Sequence, residues 1–214
     1  MEYTAKLEEE QLRFFLKFIE NCAQEGWNNK TFEDASIELY GSTHYAYLFF
    51  PKGYSELFDF LSKYIDSLMF KEIKTNGLHE SKIHKKILEL ISIRINLYKP
   101  FKKAISAYIA TVYQVNNFNK AASNLWKTAD NFWRLAGDVS LDFNYYSKRF
   151  ILCCVYSKTL LYWLSDSSDN NQDTKIYAAK EIEKALKIGK IKKRIIANTS
   201  KIMDLPFIRL IKHL

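Results

Sequence analysis

The chain has little of what punctuates or cross-links a fold. Three prolines and six glycines in 214 residues leave few places where a helix is forced to stop. Three cysteines, Cys22, Cys153 and Cys154, are an odd number, and the adjacent pair would point apart. They argue against a disulfide framework and read as small buried hydrophobes in a reducing compartment. No stretch approaches the roughly 18 uninterrupted apolar residues that a membrane span needs. The opening MEYTAKLEEE is acidic and has neither the basic flank nor the apolar core of an export signal. The expectation is a soluble, intracellular protein.

Catalytic signatures are also missing. The glycines are too scattered for a dinucleotide fingerprint, a phosphate loop or a nucleophile elbow. His44, His79, His84 and His213 have no cysteine partners and no metal-ligand spacing; His79, Glu80 and His84 read as a solvated helix start. Asp166, Asp169 and Asp173 lie in SDSSDNNQDT, whose turn chemistry suits helix capping better than paired acid–base work. The expectation is a protein that is not an enzyme, with no catalytic residue and no metal site.

What is present is apolar and periodic. Hydrophobic residues make up 48% of the chain, enough for a well-buried core. The spacing predicts about ten helices and no strand, an all-α bundle. A first helix is expected over residues 7–24, with Leu12, Phe15, Leu16 and Ile19 as its apolar row and Gly26 at its C-terminal cap. Thr31 is positioned to cap a short helix ending before Gly41, and Ser42 to cap another running to Phe50, stopped by Pro51. That order is a helix-turn-helix. Further helices are expected over residues 54–74, 81–97, 101–113, 117–136 and 141–164, and from the 165–174 loop to about residue 189.

The net charge of +8 is unevenly placed. Residues 1–50 hold four Lys/Arg against nine acids, and the would-be recognition segment STHYAYLFF has no cation at all. DNA affinity rests largely on cations that displace counterions from phosphates, so no nucleic-acid partner is expected. Residues 187–214 hold eight Lys/Arg against one acid. There Ile191, Ile195 and Ile202 form one apolar row, and Ile196, Met203, Phe207, Leu210, Ile211 and Leu214 form the next, while Lys193 and Arg194 are among the cations projecting elsewhere. Such a helix suits an anionic membrane surface, where burial and about 1 kcal/mol per basic residue act together. A last core helix with a solvated basic face is the alternative.

The stretch GDVSLDFNYYSKR, residues 137–149, stands at the mouth of the very apolar FILCCVYSKTLL. A helix starting near Leu141 puts Asp142, Tyr145, Lys148 and Arg149 on one face and Phe143, Tyr146 and Phe150 on another. The second face is expected to be core. The first is either an aromatic anchor with a charged rim, as in a protein-binding hot spot, or a local arrangement in which Asp142 caps the helix or pairs with Arg149 and Tyr145 packs on the preceding loop.

Residues 130–168, DNFWRLAGDVSLDFNYYSKRFILCCVYSKTLLYWLSDSS, closely resemble the signature of the coenzyme Q biosynthesis accessory protein family, ninth of its pathway's set. Trp133, Ala136, Gly137, Asp138, Ser140, Asp142, Phe143, Asn144, Tyr146, Arg149, Tyr156, Thr159, Asp166, Ser167 and Ser168 carry the match. The resemblance implies a tetracycline-repressor-like (TetR-like) helical bundle with three parts: a degenerate helix-turn-helix over 1–50, a lipid-binding bundle over 51–189, and a membrane-docking helix over 190–214. It implies an isoprenoid lipid or quinone intermediate as ligand, an anionic membrane surface, and a di-iron demethoxyubiquinone hydroxylase or equivalent bacterial hydroxylase as partner. The partner would be met by Asp142, Asn144, Tyr145, Tyr146 and Arg149. One departure weakens that interface: Tyr145 stands where the family has tryptophan. Trp126, Phe132, Trp133, Tyr156 and Leu160 are the expected lipid-lining residues. A cytoplasmic location at the inner membrane and, by analogy of fold, a homodimer complete the expectation. A lipid-responsive regulator and a scaffold without a lipid cavity are the rival readings.

Overall fold

The computed structural model describes the backbone of residues 2–112, 115–140 and 143–203, and the side chains of residues 6–112, 118–140 and 144–187. Nine α-helices are present among the described residues: α1 (Glu2–Glu25), α2 (Asn29–Tyr40), α3 (His44–Phe49), α4 (Leu57–Asn76), α5 (Ile83–Tyr98), α6 (Lys102–Thr111), α7 (Val115–Leu135), α8 (Phe143–Ser165) and α9 (Gln172–Met203). Short 3-10 turns precede α4, α6 and α9, and no strand occurs among the described residues. The all-α expectation holds. α5 packs against α4, α7, α8 and α9, which places it at the centre of the bundle, while α1 lies on α2 and α6.

The N-terminal unit is held by aromatic rings. Phe14, Phe15 and Phe18 of α1 are fully buried. Phe14 meets Phe32 edge-on at 5.3 Å, and Phe18 meets Trp27 at 4.9 Å. Edge-to-face pairs of this kind add to the large apolar area each ring removes from water. Of the expected row, Phe15 is buried and Leu12 and Ile19 pack against the core, but Leu16 is 46% exposed, because Phe14, Phe18 and Cys22 face the core beside Phe15. Nor is Thr31 the cap of α2. Asn28 is, accepting from the Thr31 backbone N–H at 3.0 Å, while the Thr31 hydroxyl donates to the Gly26 carbonyl at 2.8 Å. Gly41 ends α2 in the left-handed region at φ 70°, and α3 follows with six residues and no Lys or Arg.

The cysteines are all free, but only Cys22 and Cys153 are buried; Cys154 faces solvent, contrary to expectation, because adjacent residues of a helix point about 100° apart and only Cys153 is turned toward the core. α9 runs unbroken past residue 189 to Met203, where a separate tail helix was expected. Its start is fixed by Asp166, which accepts from the Thr174 N–H at 2.9 Å and the Ser168 N–H at 2.7 Å. Burial works against ionisation of Asp166, yet these donors outweigh it and hold the carboxyl far below its usual range. The 165–174 loop is thus a capping loop.

Candidate lipid cavity and the α7–α8 corner

α7 ends in a glycine cap. Gly137, at φ 89°, donates to the Arg134 carbonyl at 3.0 Å, and Asp138 donates to the Trp133 carbonyl at 2.9 Å. This is the Schellman arrangement, for which glycine is the favoured residue because it enters the left-handed region without steric cost. The turn brings Asp138 back over the start of α8, where two carboxylates and three cations form a closed network.

Arg149 is at its centre. Its Nε donates to Asp130 Oδ1 at 2.6 Å, and its terminal nitrogen donates to Asp138 Oδ2 at 3.3 Å and to the Tyr145 carbonyl at 3.1 Å. The Tyr145 hydroxyl donates to the same Asp130 oxygen at 3.0 Å, and the guanidinium lies 3.5 Å from the Tyr145 ring centroid. Lys148 reaches Asp138 and Ser140, both at 2.6 Å, and Trp133 donates its indole N–H to the Lys148 carbonyl at 3.2 Å. Arg134 pairs with the second Asp130 oxygen at 2.7 Å. Burial opposes ionisation of Asp130 and Asp138, but hydrogen bonds from Arg149, Tyr145, Lys148 and Ser140 outweigh it and lower both carboxyls.

Of the two readings of the first face, the local arrangement is the one observed, with Asp130 as the carboxylate, and the second face is not the core that was expected. Arg149 is 2% exposed and spends its donors inside the chain, so it is not a rim residue for a partner. Tyr145 is turned inward with it. The face expected to be core is open instead: Tyr146 is 62% exposed and Phe150 64%. Tyr146 stacks on Trp126 at 6.3 Å, extending the exposed aromatic surface onto α7. The reason is charge. With Asp130 and Asp138 enclosed at the corner, leaving them without a cation would be costly, so Arg149 faces them and Tyr146 and Phe150 take the other side of α8. Asn144 is exposed beside this surface, and Asp142 lies outside the described residues.

A separate apolar cavity of about 260 Å³ opens between α4, α5, α6, α7 and α8. Phe58, Tyr98, Tyr108, Phe118, Tyr156 and Leu160 are among its lining residues. Of the five residues named from sequence, Tyr156 and Leu160 line it. Phe132 stands behind, fully buried and edge-on to Tyr156 at 5.4 Å, while Trp126 and Trp133 belong to the α7–α8 corner. Phe58 and Tyr108, which the sequence reading missed, are stacked at 3.8 Å and nearly parallel. Five helices contribute, so no single run of residues could mark the wall.

Polar groups behind the cavity are neutral or paired. Arg94, fully buried, reaches Asp66 in a short ion pair and donates to Ser62 at 2.8 Å and Tyr98 at 3.0 Å. Burial raises the Tyr156 hydroxyl well above its ordinary range and the Tyr108 hydroxyl to about 12, so both stay uncharged at neutral pH. The cavity therefore offers a hydrocarbon chain neutral walls. Among the described residues no three acidic, His or Cys groups could share a metal ion, and no helix is long and apolar enough to cross a membrane. Ile191, Lys193, Arg194, Ile195, Ile202 and Met203 fall on the continuation of α9, with side chains outside the described set; Phe207, Leu210, Ile211 and Leu214 lie outside the described residues altogether.

Comparison with known proteins places this geometry. The COQ9 family model matches residues 118–189, which span α7, the corner, α8 and the first half of α9. A probable ubiquinone biosynthesis protein coq9, mitochondrial, from Dictyostelium discoideum is 24% identical over 190 residues, covering 84% of this chain and 62% of that protein. The ubiquinone biosynthesis protein COQ9, mitochondrial, from Homo sapiens is 24% identical over 195 residues, covering 87% and 61%. The chain thus spans about three fifths of the length of these relatives. A TetR transcriptional regulator from Nitrosomonas europaea shares the fold, with a TM-score of 0.68 at 20% identity over 83% of this chain and 98% of that one. Residues 118–189 thus match the COQ9 family model, the chain is similar to COQ9 ubiquinone biosynthesis proteins over most of its length, and its fold is TetR-like.

Proposed function

We propose that the protein is a non-catalytic lipid-binding factor of ubiquinone biosynthesis, which takes an isoprenoid or quinone intermediate from the membrane and presents it to a hydroxylase. The observation that carries the reading is the apolar cavity between α4, α5, α6, α7 and α8, about 260 Å³ in volume and walled by neutral side chains. A polyprenyl chain leaves a bilayer only for an equivalent apolar surrounding, since each methylene exposed to water costs about 0.8 kcal/mol. The volume lies a little under the roughly 300–1,000 Å³ usual for ligand sites, so it holds a segment of such a chain rather than its whole length. The hydroxylase docks on the exposed Tyr146 and Phe150 surface, with Asn144 at its edge. The basic residues of 190–214 hold the protein on an anionic membrane face, the inner membrane in a bacterial cell. A regulatory role is disfavoured by α3, whose six residues include no cation to meet a phosphate.

Mass spectrometry of the organic extract of the purified protein tests the reading. A prenylated species in stoichiometric amount is expected; an extract free of lipid from protein purified without detergent counts against it. Flotation with anionic liposomes, with and without residues 190–214, tests the membrane foothold separately.

A further inference from the structure

On the far side of the α4–α7 contact from the apolar cavity lies a second, open cleft of about 440 Å³. The two sites alternate along both helices: Phe58 and Ser62 of α4 face the cavity, while Asp59 and Lys63 face the cleft. On α7, Ala121, Leu125 and Thr128 face the cavity, while Lys120, Ser123 and Lys127 face the cleft. Asn124 belongs to both. It is 7% exposed, and its carboxamide has no hydrogen-bond partner among the described residues. Its amide atoms reach the open space of these sites and are free to bond a ligand, and Asn124 is the only residue shared by the apolar cavity and the charged cleft among the described residues.

The cleft is cationic. Lys52, Lys63, Lys120 and Lys127 line it against Glu56 and Asp59. Asp59 already serves two lysines, Lys63 at 2.8 Å and Lys127 at 3.1 Å. The ammonium groups of Lys52 and Lys120 have no acidic partner among the described residues. Two unpaired cations and an over-shared carboxylate make a site that favours an added anion.

We infer that the ligand lies across the α4–α7 contact, with an anionic phosphate-type head in the lysine cleft, its first carbons passing Asn124, and its prenyl chain in the apolar cavity. This rests on the lipid-binding reading and adds the class of head group. A phosphorylated prenyl chain has the required form: strong acceptor oxygens for Lys52 and Lys120, an ester oxygen for the Asn124 amide, and a hydrocarbon chain for the neutral walls. A free phosphate-type ion would meet only the first of these.

Titration of the full chain with farnesyl diphosphate, farnesol and inorganic pyrophosphate, followed by tryptophan fluorescence, tests the inference. At low salt farnesyl diphosphate is expected to bind about tenfold more tightly than farnesol, an advantage that shrinks in about 0.5 M salt. The double variant Lys52→Glu/Lys120→Glu, altering two exposed side chains, should erase that advantage while leaving farnesol affinity unchanged. Equal binding of the two prenyl compounds, or an advantage that survives the double variant, overturns the head-group site but not the cavity. Pyrophosphate binding as tightly as farnesyl diphosphate also overturns it, by showing an anion site unconnected to the chain. Failure of both prenyl compounds to bind removes the lipid-binding reading itself.

Discussion

The guanidinium of Arg149 lies 3.5 Å from the ring of Tyr145, one helical turn earlier, and both groups hydrogen-bond the same oxygen of Asp130. The pair locks the start of α8 to the end of α7, and it decides which side of α8 faces outward. Removing Arg149 leaves Asp130 and Asp138 enclosed without their shared cation. Arg149→Met is expected to cost about 3 kcal/mol, the lower end for a broken buried pair, because Arg134 and Lys148 still reach the carboxylates. Tyr145→Phe keeps the ring under the guanidinium and loses one hydrogen bond, so about 1 kcal/mol is expected. Urea unfolding of the two variants measures both, and equal losses would contradict the central place given to Arg149.

Tyr146 and Phe150 make the opposite prediction. Both rings are largely in solvent, so Tyr146→Lys and Phe150→Glu should leave unfolding within about 0.5 kcal/mol of the parent chain. If this surface receives the hydroxylase, either change should weaken the complex by at least about tenfold, since aromatic anchors carry much of an interface's energy. Surface plasmon resonance against the purified hydroxylase reads that loss. A complex of undiminished affinity would move the docking face elsewhere.

The elements were legible in the sequence because helix ends are local chemistry. Gly41, Gly77 and Gly137 end helices in the left-handed region, and the expected boundaries of α4 to α8 fall within a few residues of those observed. What was not legible depends on partners distant in the chain. Thr31 and Asn28 are both capable caps, and only the path of the preceding turn selects Asn28. Phe14 and Phe18 bury because Phe32 and Trp27 meet them from other elements, a contact that periodicity within α1 cannot reveal. The corner is the clearest case. GDVSLDFNYYSKR contains Asp138, Tyr145 and Arg149, but Asp130 lies a full turn and more upstream on α7, and without it Arg149 looks like a surface cation. The cavity, drawn from five helices, had no sequence signal beyond Tyr156 and Leu160.

Acid should weaken this corner and the α8–α9 loop together. Asp130, Asp138 and Asp166 all have carboxyls held below the usual value by their donors, with burial opposing. Carboxyls of this kind stabilise the fold above their unfolded pKa of about 3.9, and that contribution is lost as pH falls through the lower folded values. Stability is therefore expected to be flat from neutral pH to about 5 and to decline steeply below about 4. Thermal unfolding between pH 7 and 2.5 follows the decline. In Arg149→Met the Asp130 and Asp138 share of that slope should be reduced, and an unchanged slope would assign the acid sensitivity elsewhere.

Filling the cavity separates lipid binding from fold. Ala121 of α7 lines the apolar space and is half-buried, so a larger side chain there points into existing volume rather than displacing packed neighbours. Ala121→Phe is expected to leave thermal stability unchanged or slightly raised, because added apolar surface is buried without forcing the core apart. The co-purifying lipid should fall to less than about half of the parent amount, as the remaining space no longer accepts a chain segment. Quantitative mass spectrometry on equal amounts of protein gives the ratio. Lipid retained in full by a folded variant would place the ligand outside this cavity, whereas lipid lost together with a drop in melting temperature would mean that the site was overpacked, and Leu160→Ala, which enlarges the same wall, would then be expected to restore binding of longer chains.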